Sequence, residues 1–162
     1  MEYKFMQNDD WQLDDLDKRI LVALQDDAAR TNHELAELVH ASAPTCLRRV
    51  KRLVEQGVIA RQVAILNPDK VGAGLSAIVE ITLDVQSTER LIEFEQLVAK
   101  EAAVQQCYRV SPGPDFVLIL QVADMPAYHA LAHRLFAAHA NVRNVRSFFS
   151  ILRSKFETRI AV

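Results

Sequence analysis

The stretch from Ser42 to Gln56, with Gly57 behind it, constrains the chain most, because it carries both ends of a helix and two unlike faces. Ser42 is a strong N-cap: its hydroxyl can accept a backbone N–H that the first turn leaves unpaired. Pro44 falls in that first turn, where a missing N–H costs nothing. Gly57 suits the left-handed residue that ends a helix. Leu47, Val50 and Val54, with Cys46 and Leu53 beside them, form an apolar stripe at helical spacing, so this side is expected to face inward. Thr45, Arg48, Arg49 and Arg52 form the opposite stripe. A short helix with an apolar back and a basic front fits the floor of a DNA major groove. A merely solvated helix face is the competing reading.

The charge distribution favours the groove. Residues 42–61 carry Arg48, Arg49, Lys51, Arg52 and Arg61 against Glu55, a net of +4. Residues 1–41 carry ten acidic and four basic side chains, a net of −6, and the whole chain stands at −2. A protein that only coats nucleic acid is basic overall. Here the chain as a whole is slightly acidic, and the net positive stretch falls on this helix and the segment after it.

What precedes that helix completes a motif. Leu16, Ile20, Leu21 and Leu24 follow the 3.6 period, and Asp14, Asp15 and Asp17 suit the positive end of a helix over 14–25. Thr31 caps a second helix and Glu34, three residues on, completes a capping box. His40 and Ala41 make a tight turn into the third. Three helices with a short turn between the last two is helix-turn-helix order. The β-prone run from Val58 to Leu66 is expected to add a strand, hence a winged variant in which Arg61 reaches a phosphate. Residues 1–12 read as a tail, 13–66 as the winged helix-turn-helix, and 67–74, with Gly72 and Gly74, as a hinge.

The second half changes period. Leu75 to Leu83 alternates as a half-buried strand, apart from Ile78. Thr88 to Lys100 is an amphipathic helix and Val104 to Val110 a strand. Phe116 to Ala123, apolar on nearly both sides, is expected to be central. Asp124 caps a helix through Ala138. Val142 to Leu152 is a fourth strand, with a short further element over 156–162. The order β-α-β-β-α-β over 75–162 is the ferredoxin-like unit. Its sheet has helices on one face, so the other face, with Ile78, Val117, Ile119 and Phe148 or Phe149, calls for a second subunit: a homodimer is expected.

The chain holds no apolar run near the roughly 20 residues that span a bilayer, so no membrane partner is expected and the cytoplasm is the expected location. Cys46 and Cys107 lack metal spacing and read as reduced thiols. His129 and His133 lie four apart without further ligands, so no metal and no cofactor are expected.

Taken in order, Leu16-Asp17-Lys18-Arg19-Ile20-Leu21, Cys46 through Leu53, Gln56-Gly57-Val58-Ile59, Leu66-Asn67-Pro68 and Asp115-Phe116 resemble the Lrp/AsnC family, the leucine-responsive and asparagine-type transcriptional regulators. The resemblance implies an α+β chain: a winged helix-turn-helix that binds double-stranded DNA at pseudo-palindromic promoter sites, then an amino-acid-sensing domain. It implies dimers that close into octamers, with a small amino acid, leucine or methionine, held between neighbouring dimers. The DNA-binding candidates, read from the helix and the segment after it, are Ser42, Thr45, Arg48, Arg49, Arg52 and Arg61. The effector turn, Gly-x-x-Asp in the family, corresponds to Pro112, Gly113, Pro114 and Asp115, with a proline in place of the first glycine. Asp115 would pair with the ammonium group. Ser147 stands where the family carries a threonine, and Phe149 would wall the side-chain pocket. Two alternatives accompany this reading. One is a siroheme-decarboxylase-like enzyme using His129, His133 or His139, although no nucleophile–base pair supports catalysis. The other is an effector-independent architectural DNA-binding protein.

Overall fold

In the computed structural model, which describes residues 12–162, the chain forms two units: 12–64 together with Lys155–Val162, and Ile65–Ser154. The expected tail lies almost wholly outside the described residues.

The first unit holds α1 (Asp15–Asp26), α2 (Asn32–Val39) and α3 (Ala43–Glu55). Side-chain caps start all three. Asp14 and Asp17 make a reciprocal capping box on α1, Thr31 and Glu34 another on α2, and Ser42 accepts the Thr45 N–H of α3. The α2–α3 turn needs a left-handed residue, and His40 supplies it at φ 52°. Gly57, at φ 72°, ends α3, where Val58 and Ile59 both donate to the Leu53 carbonyl. Ile20, Leu21, Leu35, Ala36, Val39, Cys46 and Leu53 form the core, flanked by Val50 and Ile59.

Two expectations for this unit are corrected. Leu47 and Val54 do not face inward; they are 56% and 49% exposed. The core side of α3 is Cys46, Val50 and Leu53, a narrower stripe than the sequence pattern implied. The run Val58 to Leu66 forms no strand with any described segment. Its apolar side chains Val63, Ile65 and Leu66 stay exposed, because a strand exists only with a neighbour to share its hydrogen bonds.

Residues 155–162, expected as a further element, form an irregular arm that belongs to the first unit. Gln25 at the end of α1 pairs with it as a strand neighbour would. Its Nε2 donates to the Ile160 carbonyl at 2.9 Å, and its Oε1 accepts the Ile160 N–H at 2.6 Å. Arg159 reaches Asp26 at 2.6 Å.

The second unit opens with a 3-10 turn at Pro68–Lys70, then β1 (Leu75–Leu83), α4 (Thr88–Val98), β2 (Val104–Arg109), β3 (Phe116–Val122), α5 (Met125–Ala132) and β4 (Val142–Phe149). A wider π turn, His133–Ala137, continues α5. The four strands form one antiparallel sheet in the order β2-β3-β1-β4, so the apolar β3 is central as expected. Ala77, Val79, Ile81, Leu83, Phe116, Leu118 and Leu120 bury one face against Phe94 and Val98 of α4 and Tyr128 and Leu131 of α5. Register places Ile78, Tyr108, Val117, Ile119 and Phe148 on the other face, which no helix covers; Phe149 lies on the helix side. On that open face Arg146 pairs with Glu80 at 3.1 Å and lies 5.3 Å from the Phe148 ring centroid.

Candidate nucleic-acid interface and effector turn

The basic side chains of α3 divide into two sets. Arg49 and Arg52 lean towards α1. Arg49 meets Asp14 at 2.5 Å and Asp17 at 3.2 Å; Arg52 meets Asp17 at 2.6 Å. Asp17 is fully buried, and a buried carboxylate needs such partners. Asp14 is held below its ordinary pKa, first by the Asp17 N–H it accepts and then by Arg49; the carboxylates in turn raise that of Arg49. This pair of arginines therefore fastens α3 to α1.

The other set faces outward. Pro44, Leu47, Arg48, Lys51, Val54 and Glu55 are all exposed and recur every three or four residues along one side of α3. Arg48 forms no ion pair with the described residues, and Lys51 has only a loose i,i+4 contact with Glu55 at 3.7 Å. Ser42 and Thr45 share a hydroxyl–hydroxyl hydrogen bond of 2.8 Å at the helix start. Arg61 is exposed in the irregular segment after α3. By helical spacing Arg48, Arg49 and Arg52 form one group. The signal that separates them is Asp17, which served in the sequence only as a helix-start acid.

The turn before β3 contains a cis Ser111–Pro112 bond, and Gly113 at φ 122°, a region that glycine alone enters without strain. Asp115 pins this turn to the end of β1. Its Oδ2 accepts the Leu83 N–H at 2.6 Å, and its own N–H donates to the Ile81 carbonyl at 2.8 Å. Pro112 and Gly113 are exposed; Pro114 and Asp115 are half-buried. Ser147 and Phe149 sit elsewhere. Both lie on the helix side of β4, where the Ser147 hydroxyl bonds the Tyr128 hydroxyl and the Phe149 ring meets Tyr128 edge-on at 4.8 Å. The register sets Asp115 level with Thr82 and Ser147 level with Val79, on opposite sides of β1. Strand rise and spacing put their backbones roughly 14 Å apart. One chain does not bring these residues around a single small molecule.

Of the three histidines that a siroheme-decarboxylase-like enzyme would use, His129 and His133 are exposed and His139 packs edge-on against Phe94 at 5.7 Å. No metal-binding cluster occurs among the described residues, and no helix among them is long and apolar enough to cross a membrane.

A helix-turn-helix with an outward basic stripe, followed by a four-stranded sheet domain, is the architecture of a two-domain DNA-binding protein. Comparison with known proteins makes this specific. Residues 13–60 match the family described as "Winged helix-turn-helix DNA-binding", and residues 76–160 match "Lrp/AsnC ligand binding domain". The chain belongs to the Lrp/AsnC family of DNA-binding transcriptional regulators. It is 37% identical to an HTH-type transcriptional regulator of Haemophilus influenzae, over 91% of this chain and 88% of that one. It is 35% identical to the leucine-responsive regulatory protein of Escherichia coli, over 93% and 92%. A crystal structure of a transcriptional regulator from Neisseria meningitidis in complex with L-methionine superposes with a TM-score of 0.87 at 30% identity, over 92% and 96%. These relatives are regulators, and the protein is a regulator rather than an enzyme, which removes the decarboxylase alternative.

Proposed function

We propose that this protein is a cytoplasmic, sequence-specific regulator of transcription whose DNA binding responds to a small amino acid, leucine or methionine. The observation that carries the DNA half is the outward stripe of α3, where Arg48 and Lys51 stand free of buried partners on a helix-turn-helix. The amino acid half draws support from the L-methionine complex of the Neisseria relative and the leucine-responsive name of the Escherichia coli one.

The protein works as a homodimer on a pseudo-palindromic duplex, and dimers assemble further, to an octamer. The uncovered sheet face with Ile78, Tyr108 and Phe148 is the dimer surface. Asp115 keeps one carboxylate oxygen beyond its bond to Leu83 and offers it to an ammonium group. Since Asp115 and Ser147 stand apart within one chain, the effector pocket is completed by a neighbouring subunit. Binding at such a seam alters assembly, and through it the spacing of the DNA-reading helices.

Thermal unfolding in the presence of each of the twenty amino acids tests the reading. An effector at 100 times its Kd adds about 2.7 kcal/mol. A rise confined to leucine, methionine or a small apolar set supports it. No rise with any amino acid leaves an effector-independent architectural regulator, and salt-sensitive DNA binding without sequence preference would mark that case.

A further inference from the structure

Leu47 stands more than half exposed on the outward side of α3, between Pro44 and Arg48, with Lys51 one turn further. Exposed leucines are ordinary on a protein surface. This one occupies the centre of the stripe that the DNA-binding reading directs into the groove. It is the fifth residue of α3, in the N-terminal half that reaches base edges when such a helix docks. Two of its basic neighbours are committed elsewhere: Arg49 and Arg52 are held by Asp14 and Asp17. Among the described residues, Arg48 is the cation left free near the helix start, and Leu47 is the large apolar side chain beside it.

In the major groove three of the four bases present only hydrogen-bonding groups, and thymine alone adds an apolar one, its C5 methyl. A leucine flanked by cations fits that group and little else in a polyanionic groove. We propose that Leu47 selects a thymine in each half-site by packing on its methyl, while Arg48 beside it takes a purine edge or a phosphate. Val54 is two turns further along α3, past the base-reading half, and is not assigned this role.

The inference rests on the DNA-binding reading, and the test separates the two. The full-length protein first selects duplexes from a random library. Each thymine of a selected duplex is then replaced singly by deoxyuridine, which removes only the methyl. The wild type is expected to bind about fourfold more weakly at one such position per half-site, the effect of one buried methyl-sized group. In Leu47→Ala that penalty is expected to vanish at the same position while every other position behaves as in wild type. The variant keeps its helix, since alanine is the best helix former and the site is exposed. Identical deoxyuridine profiles for the two proteins would overturn the assignment while DNA binding stood. So would a change of oligomeric state in Leu47→Ala, which would place Leu47 against a second copy of the chain. Failure to select any duplex would overturn the DNA-binding reading and this inference with it.

Discussion

Arg52 meets Oδ2 of Asp17 at 2.6 Å, and Asp17 has no solvent exposure at all. The same carboxylate accepts from Arg49 and reaches back to the Asp14 N–H. One buried acid therefore closes the start of α1 and fixes the rotation of α3 about its own axis. Replacing it with alanine removes the buried anion that Arg49 and Arg52 share, while Arg49 keeps Asp14. Because both arginines keep some contact with water, the loss is expected at about 3 kcal/mol, the low end of what a broken buried pair costs. Urea unfolding of Asp17→Ala measures it; a change under 1 kcal/mol would mean that the pair behaves as a surface one.

Arg48→Ala and Arg49→Ala are expected to diverge. Arg48 has no ion pair to lose among the described residues, so its removal lowers affinity for selected DNA by about tenfold or more, within the 1–3 kcal/mol of a good base contact, and leaves stability and oligomer size alone. Arg49→Ala unfolds more easily. Paired gel shifts and denaturation curves decide this, and equal stability losses in the two variants would contradict the division of α3 into fastening and reading sides.

This division shows where sequence reading ends. The period of α3, its cap and the helix-turn-helix order follow from Ser42, Pro44 and Gly57, and the alternation from Leu75 to Leu83 yields β1. A helical wheel ranks positions by angle, but it cannot say which charged flank meets a buried counter-ion from another helix. Arg49 lies at the margin of its stripe, and there Asp17 decides. The segment from Val58 to Leu66 has the composition of a strand, but composition supplies no neighbour. Asp115 was legible as a turn residue; its bond to Leu83 depends on long-range register.

Asp115 invites a substitution that separates structure from recognition. Asp115→Asn keeps a carbonyl oxygen for the Leu83 N–H and loses the charge; Asp115→Ala loses both. The asparagine variant is expected to retain wild-type stability and lose amino acid binding in calorimetry. The alanine variant is expected to lose about 1 kcal/mol of stability as well. Undiminished amino acid affinity in Asp115→Asn would place the effector elsewhere.

His40 holds a left-handed conformation that a Cβ disfavours. His40→Gly is expected to stabilise the first unit by about 0.5–1 kcal/mol, because the relief of strain exceeds the added freedom of the unfolded chain. A lower midpoint in thermal unfolding would show that the imidazole makes a compensating contact.

Acid should loosen the first unit early. Asp14 is held below its ordinary value, by the Asp17 N–H and then Arg49, and Glu34 by the backbone and then the side chain of Thr31. A lowered folded pKa lends stability that is complete above the unfolded value and is lost as pH falls through the folded one, so the loss begins below about pH 4. Asp14→Asn still caps α1 but no longer titrates. Circular dichroism from neutral to acid pH is expected to show a shallower decline for that variant; a decline as steep as wild type would assign the acid sensitivity to other carboxyls.

The arm from Lys155 to Val162 gives the DNA-reading unit a consequence for modularity. Its peptide runs out of that unit at Ala64 and returns to it after Ser154, so the reading head is sewn from two separate stretches of the polypeptide. A graft that moves residues 12–64 onto another sensor leaves behind Ile160 and Arg159, and with them the partners of Gln25 and Asp26. Lineages that exchange reading heads by a single recombination near the hinge would inherit an α1 with an unmatched end. The arm thus ties the inheritance of the head to that of the sensor.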